Sequence, residues 1–593
     1  MTQSTYLSGP WALDNLIPEG SSPEMESVFT DIEAAATALE SKRPALEPGI
    51  DETAFVEILG LVERVERITQ LLDGYSILRF FANTKDQDAI ALRGRADRAL
   101  AAAKNRTVFF DLWWKALDEA NAKRLLAAAG DARYHLETLR NVTPYTLSEA
   151  EERVINLKNV HGAEGMATLY RMITGGLIFD LEIDVEAGTE THTLTRSELM
   201  DFTRDTSPEL REAAYRSLLG GYEARRDELA QIYKYIVLDR HDEHVDLRGV
   251  PSPISVRNLD NDIPDEVVDV LLETCRENVG LYQRYFGVKA RLLGLEKLRR
   301  FDLHAPFDET EAEIPFADGV ELILESFRGF SPLLADLAER VLAEDHLDSI
   351  PRPGKRGGGV SWDALPGETP WILMTYTDRV RDVTTLAHEL GHAVHALMAA
   401  DHSILTFSPP LPLAETASSF AQILLLETML KGADPTDRRT LLAKYIEDSY
   451  HQILRQAFRV LFEREAHRMI AEGATSDELS AAYLETLREQ FGDSVEVDDV
   501  FRNEWVGIGH FYTDPFYDYS YAFGLLLDLG LYQRYTEEGD AFVPGYLRIL
   551  AAGGSEAPLA VLDKAGFDIR TKAFWQGGFD VLAGMVDELE AVP

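Results

Sequence analysis

Apolar residues recur at three- and four-residue spacing along most of the chain, and that period predicts helices. From about residue 22 to 139 the pattern is almost unbroken, as in Phe55-Val56-Glu57-Ile58-Leu59-Gly60-Leu61-Val62 and in an alanine-rich run near residues 96–103. Ser148 followed by Glu151 has capping-box spacing, each side chain placed to take the other's backbone N–H, and predicts a helix start. Near Gly175 the period changes to two. Residues 177–185 alternate, Ala187-Gly188-Thr189 turns and His192-Thr193-Leu194-Thr195 returns, which reads as a β-hairpin. Helices resume over 197–247 and 264–293, with a proline- and asparagine-marked loop between them. Residues 299–304 and 370–377 read as short strands, and 351–360 is the most glycine-dense part of the chain. Further helices are predicted near 415–430, 438–471 and 477–490.

One of the helices carries chemistry. Leu386, Leu390, Ala393, Val394 and Leu397 are apolar at helical spacing, so this helix is buried, and the His388, Glu389 and His392 it carries need partners. Residues four apart stack on one helix face, so His388 and His392 can aim two nitrogens at one ion, the arrangement of zinc peptidases. A catalytic zinc takes three protein ligands and leaves a position for water, and Glu389 is placed to take that water's proton. Glu415, 27 residues after His388, is the candidate third ligand. A proline-rich turn at 408–412 lets two antiparallel helices bring it against the histidines. The other known route, a histidine six residues past the second one, is closed because Met398 stands there and His395 takes the place of the expected glycine.

The glycine-dense stretch is not a phosphate loop, since Lys355 is followed by Arg356 rather than by serine or threonine. Its order before a strand and the histidine helix suits a peptidase. Gly357, Gly358 and Gly359 permit close backbone approach or closure over a substrate, and the strand bearing Trp371 and Met374, taken as an edge, can lay an extended peptide across the metal. An ordinary turn and core strand fits the same residues. A second dense segment, from His510 through Tyr512, Tyr517, Tyr519 and Tyr521, is either a packed aromatic turn or a set of donors for a developing oxyanion.

Composition narrows the partners. The chain of 593 residues is 45% hydrophobic and 27% charged, as in globular proteins, and its formal charge of −43 argues against a nucleic acid or an anionic membrane. The single cysteine, Cys275, reads as a core thiol. The first residues lack the basic and apolar regions of a secretory signal and no run reaches membrane-spanning length, so the expected location is the cytoplasm.

The stretch His388-Glu389-Leu390-Gly391-His392-Ala393-Val394-His395, with Ala414-Glu415-Thr416-Ala417-Ser418, His510-Phe511-Tyr512 and the residues 515–522, resembles the M3 family of zinc oligopeptidases. The wording around Glu415 and the Gly354-Lys355-Arg356 loop resembles the oligoendopeptidase F branch. The resemblance implies a mainly α fold, a large helical shell enclosing a deep channel, with a small β-sheet next to the zinc site. It implies an N-terminal helical domain over 1–196, ending in the hairpin, and a catalytic domain over 197–593. His388, His392 and Glu415 match the ligands of one zinc ion per chain and Glu389 the general base. His510 matches the histidine near the oxyanion, with Tyr521 and Tyr519 as the foremost phenols and Tyr517 behind them as a substrate contact. Gly357, Gly358, Gly359, Trp371 and Met374 complete the expected substrate contacts. Expected partners are short unstructured peptides cut at internal bonds, and the expected assembly is a monomer or small homo-oligomer. A zinc carboxypeptidase or dipeptidyl carboxypeptidase, acting at free C-termini, is the alternative.

Overall fold

The computed structural model describes residues 9–18, 22–185, 188–307 and 313–592. Most of the N-terminal stretch read for a leader, residues 1–8, and Ala187 of the hairpin turn lie outside them. The fold is mainly α, with small sheets of two and three strands. It divides into two compact units, each assembled from three separate stretches of sequence.

The first unit comprises Met1–Thr143, Glu311–Gly432 and Leu531–Asp568. Its early helices, among them Ser22–Ser41, Glu52–Ala82 and Gln87–Thr107, bury their apolar stripes in cores built around Phe55, Trp114, Leu72 and Leu78. Its sheet has three short strands: β1 (Leu347–Asp348), β2 (Val360–Trp362) and β3 (Trp371–Leu373). The order is β1-β3-β2, with β3 parallel to β1 and antiparallel to β2. The strand expected to offer an edge is therefore the middle one. Trp371 and Met374 are almost wholly buried, and the Trp371 indole N–H donates to the Ala12 carbonyl at 2.7 Å. The outer strands are β1 and β2. After β3 the chain enters α1 (Val380–Met398), whose first turn is closed by Asp382, its Oδ2 accepting the Thr377 N–H at 2.6 Å and the Arg379 N–H at 3.3 Å. α2 (Ser418–Gly432) packs against α1.

The second unit comprises Pro144–Thr310, Ala433–Gly530 and Ile569–Pro593. The capping box predicted at Ser148 and Glu151 is present, and the hairpin pairs Phe179–Val185 with Gly188–Leu194. The strand read over 299–304 shortens to Leu298–Arg299, because Arg300–Asp302 winds into a 3₁₀ turn held by the buried ion pair of Asp302 with Arg211, 2.8 Å. The long helix read over 438–471 breaks at Ile453, leaving Pro435–Gln452 and α3 (Leu454–Ala471). An aromatic core of Tyr233, Phe462, Trp505, Phe511 and Tyr512 fills the space beside α3. Among the described residues no helix is long and apolar enough to cross a membrane.

Candidate active site

α1 points one face into the first unit's core, where Leu386, Ala387, Leu390 and Ala393 are fully buried, and carries His388 and His392 one turn apart on another. Their Nε2 atoms lie 3.2 Å from each other, with the rings nearly perpendicular at 88°. Glu415 Oε2 stands 3.4 Å from His388 Nε2 and 3.5 Å from His392 Nε2. Glu415 is not inside the second apolar helix; it closes a turn after the short helix Leu411–Ala414, before α2 begins at Ser418. The Ser418 hydroxyl donates to Glu415 Oε2 at 2.7 Å and so orients it.

Gly391 makes this convergence possible. A Cβ there would sit 2.5 Å from the Ala417 carbonyl oxygen and 2.6 Å from Ser418 Cα, both backbone atoms that have no rotamer to escape into. The second variable residue of His-Glu-x-x-His is thus the point at which the ligand-bearing segment touches α1.

The donor set fits a zinc ion. Bonds of about 2.0–2.1 Å in tetrahedral geometry place ligand atoms about 3.3 Å apart, and the three separations here are 3.2, 3.4 and 3.5 Å. Burial drives His392 down to about 4, opposed by Glu415, so its ring is neutral and keeps a lone pair at neutral pH. Burial opposes the charge on Glu415, but His392, His388 and the Ser418 hydroxyl outweigh it and hold the carboxyl below its ordinary range. His395 is buried and neutral, pushed to about 3 by burial and then by His392. Another cluster, His304, Glu447 and His451 in the second unit, is a poor cation site. Lys289 already occupies Glu447, and Arg455 and Arg300 face both histidines.

Glu389 is 6% exposed and lies against the glycine-rich loop. A Cβ on Gly359 would fall 2.2 Å from its Oε1 and 3.0 Å from its Cδ. Burial, then the Glu415 carboxylate, pushes Glu389 up to about 8, while Arg356 pulls it back. A dication held by the three donors would add a further downward pull. The loop is pinned beneath. Buried Asp348 of β1 takes Arg352 at 2.6 Å and Lys355 at 2.9 Å, and the Gly354 carbonyl accepts the Thr84 N–H at 2.7 Å. Gly357 and Gly358 stay exposed at its tip, Gly358 with φ +83°.

His510 and the three tyrosines lie in the second unit. His510 Nδ1 meets the buried carboxylate of Asp518 at 2.5 Å, and that hydrogen bond raises the imidazole above its ordinary range against the effect of burial. Tyr517 and Tyr521 gather around it, their rings 5.3 and 6.2 Å away. Tyr519 does not join them. It is fully buried and its hydroxyl accepts from Asn261 Nδ2 at 2.7 Å, which corrects the expectation that it stands with Tyr521. Arg356, Ser418 and Asp518 carried no role in the sequence reading; the Lys-Arg pair inside a glycine loop was the available signal for the first.

A family model described as peptidase family M3 matches residues 202–581, and a second, described as Oligopeptidase F, matches 113–179. The Bacillus subtilis oligopeptidase PepF is 24% identical over 590 residues, covering 98% of this chain and 86% of its own. An oligoendopeptidase F homologue of Borreliella burgdorferi is 28% identical over 474 residues, 78% of each chain. Among solved structures, a candidate peptidase from Chlamydophila abortus superposes with a TM-score of 0.89 at 23% identity, covering 99% of this chain and 98% of its own. Oligoendopeptidase F from Enterococcus faecium gives 0.72 at 22%, covering 96% and 99%.

Proposed function

The chain belongs to peptidase family M3, and from that premise we propose that it is a zinc-dependent oligoendopeptidase cutting internal bonds of short unstructured peptides. Membership makes it a metal-dependent hydrolase of peptide bonds. The observation that carries the finer reading is the three-donor cluster of His388, His392 and Glu415 with the Glu389 carboxylate beside it.

His388 Nε2, His392 Nε2 and Glu415 Oε2 are the atoms that would hold the ion. Zinc held there supplies Lewis acidity, polarising the scissile carbonyl and acidifying a water. Glu389 takes the proton of the attacking water on a carboxylate oxygen and passes it to the leaving amine nitrogen. Gly359, having no side chain, lets the carboxylate lie against the loop. β2, an outer strand paired on one side with β3, is the strand to which an extended peptide would add, which favours unstructured substrates. The family resemblance gives His510 the task of donating to the developing oxyanion. With Nδ1–H on Asp518, the imidazolium donates from Nε2, and Tyr517 and Tyr521 are the phenols placed near it.

Internally quenched peptides of about five to about thirty residues, blocked at both ends, test the reading by mass spectrometry with a chelator control. Chelator-sensitive internal cuts confined to the shorter peptides support it. Cutting only after the C-terminus is freed moves the assignment to a carboxypeptidase.

A further inference from the structure

The loop that follows His510 is gripped from two sides. On α3, Arg459 and Glu463 lie one turn apart. Arg459 Nη1 stands 3.5 Å from Asp518 Oδ2, and Glu463 Oε2 accepts the Phe516 backbone N–H at 2.9 Å. Arg257 Nε reaches the Pro515 carbonyl at 3.5 Å. Both polar atoms of a single peptide, the one joining Pro515 to Phe516, are therefore engaged by side chains.

That peptide is the centre of a turn. The Tyr517 N–H donates to the Asp514 carbonyl at 3.0 Å, Pro515 occupies the second position, and Phe516 has φ +62°. Proline followed by a positive φ is the type II pattern, in which the third residue is ordinarily glycine or asparagine; a bulky ring there is strained. Turning the central peptide over gives a type I turn, in which Phe516 is relaxed. A sequence with phenylalanine at this corner needs an external hold to keep the strained form. Glu463 supplies it from the core. The residue is 1% exposed, and its Oε2 is aimed at the N–H; burial pushes the carboxyl above its ordinary range, against the pull of the Phe516 N–H it accepts. The His467 ring, 4.7 Å from that of Phe516, packs the corner from the next turn of α3.

We propose that Glu463 is a positioning residue: by holding the Phe516 N–H it fixes the turned-over peptide, which sets Asp518 against His510 Nδ1 and leaves Nε2 as the donating nitrogen. This rests on the peptidase reading, in which His510 serves the reaction. The groups facing His510 are Asp518, Asp514, Arg459 and the rings of Tyr517 and Tyr521.

Glu463→Gln and Glu463→Ala, each as metal-loaded full-length protein, test it by steady-state kinetics across pH and by NMR titration of the His510 imidazole, identified by its absence in His510→Ala. Glutamine keeps a side-chain acceptor oxygen of the same reach and is expected to keep kcat within about threefold. Alanine frees the peptide to flip and lowers kcat by about 10²-fold with KM and metal content unchanged. Without Asp518 in place, His510 titrates lower by about one pH unit, and the alkaline limb of kcat moves down with it. An alanine variant with wild-type kcat and an unmoved His510 titration overturns the proposal, as does a glutamine variant as impaired as alanine. Should the alanine variant fail to fold, Arg257→Met removes the opposite hold and is read in the same way. The NMR titration needs no substrate, so a chain that cuts no peptide at all overturns the peptidase reading while leaving the positioning claim to stand or fall on its own.

Discussion

The backbone of Gly359 lies so close to the Glu389 carboxylate that a methyl group on it would fall 2.2 Å from Oε1. The obstacle is the end of a side chain, so the protein can absorb an alanine by swinging Glu389 aside. Gly359→Ala is therefore expected to fold and to bind metal as before while kcat drops by about 10²-fold, the order expected for a proton acceptor displaced by about 1 Å. Kinetics beside metal analysis checks this, and unchanged kcat in a folded variant would show that the carboxylate's position against the loop is irrelevant to turnover.

Gly391 makes the contrasting case, because the atoms in the way belong to the backbone of Ala417 and Ser418. Gly391→Ala has to push the Glu415 segment away from α1. Expected are a loss of about 1–3 kcal/mol in stability, the usual cost of overpacking, and weaker metal retention against a competing chelator. Thermal denaturation and a chelator titration measure the two effects, and retention equal to wild type would separate Gly391 from the ligand geometry.

Arg356 gives a prediction in pH. Its charge lowers the proton affinity of Glu389, which burial and Glu415 raise. Glu389 works as a base only when ionised, so activity falls as pH drops through its titration. Removing the cation makes ionisation harder, and the acid limb of kcat/KM in Arg356→Met is expected to lie at higher pH than in wild type, whereas Arg356→Lys restores part of the difference. A limb that stays in place or moves downward would remove Arg356 from the base's environment.

The extent to which these features were legible in the sequence follows from their range. The helix of His388 and His392 could be read because its apolar period and its two ligands are local, and Glu415 because a proline turn restricts where the chain can go next. That β3 sits in the middle of its sheet could not be read, since neighbours in a sheet are chosen by chain segments whose pairing leaves no mark on a three-residue strand. Tyr519 was misplaced for a reason that was available. The helix begins at Tyr519, and residues two apart on a helix face opposite ways, so Tyr521 turns to Tyr517 and His510 while Tyr519 turns to Asn261. Glu463 and Phe516 are 53 residues apart, and their hydrogen bond is a product of tertiary packing alone.

The central claim is that His388, His392 and Glu415 hold the metal while Glu389 moves the proton, and the measurement that tests it most directly is metal content together with turnover in Glu389→Gln. Glutamine keeps the shape and removes the base. One metal ion per chain with turnover reduced by about 10³-fold or more is the predicted result. Full metal content with turnover near that of wild type would contradict it.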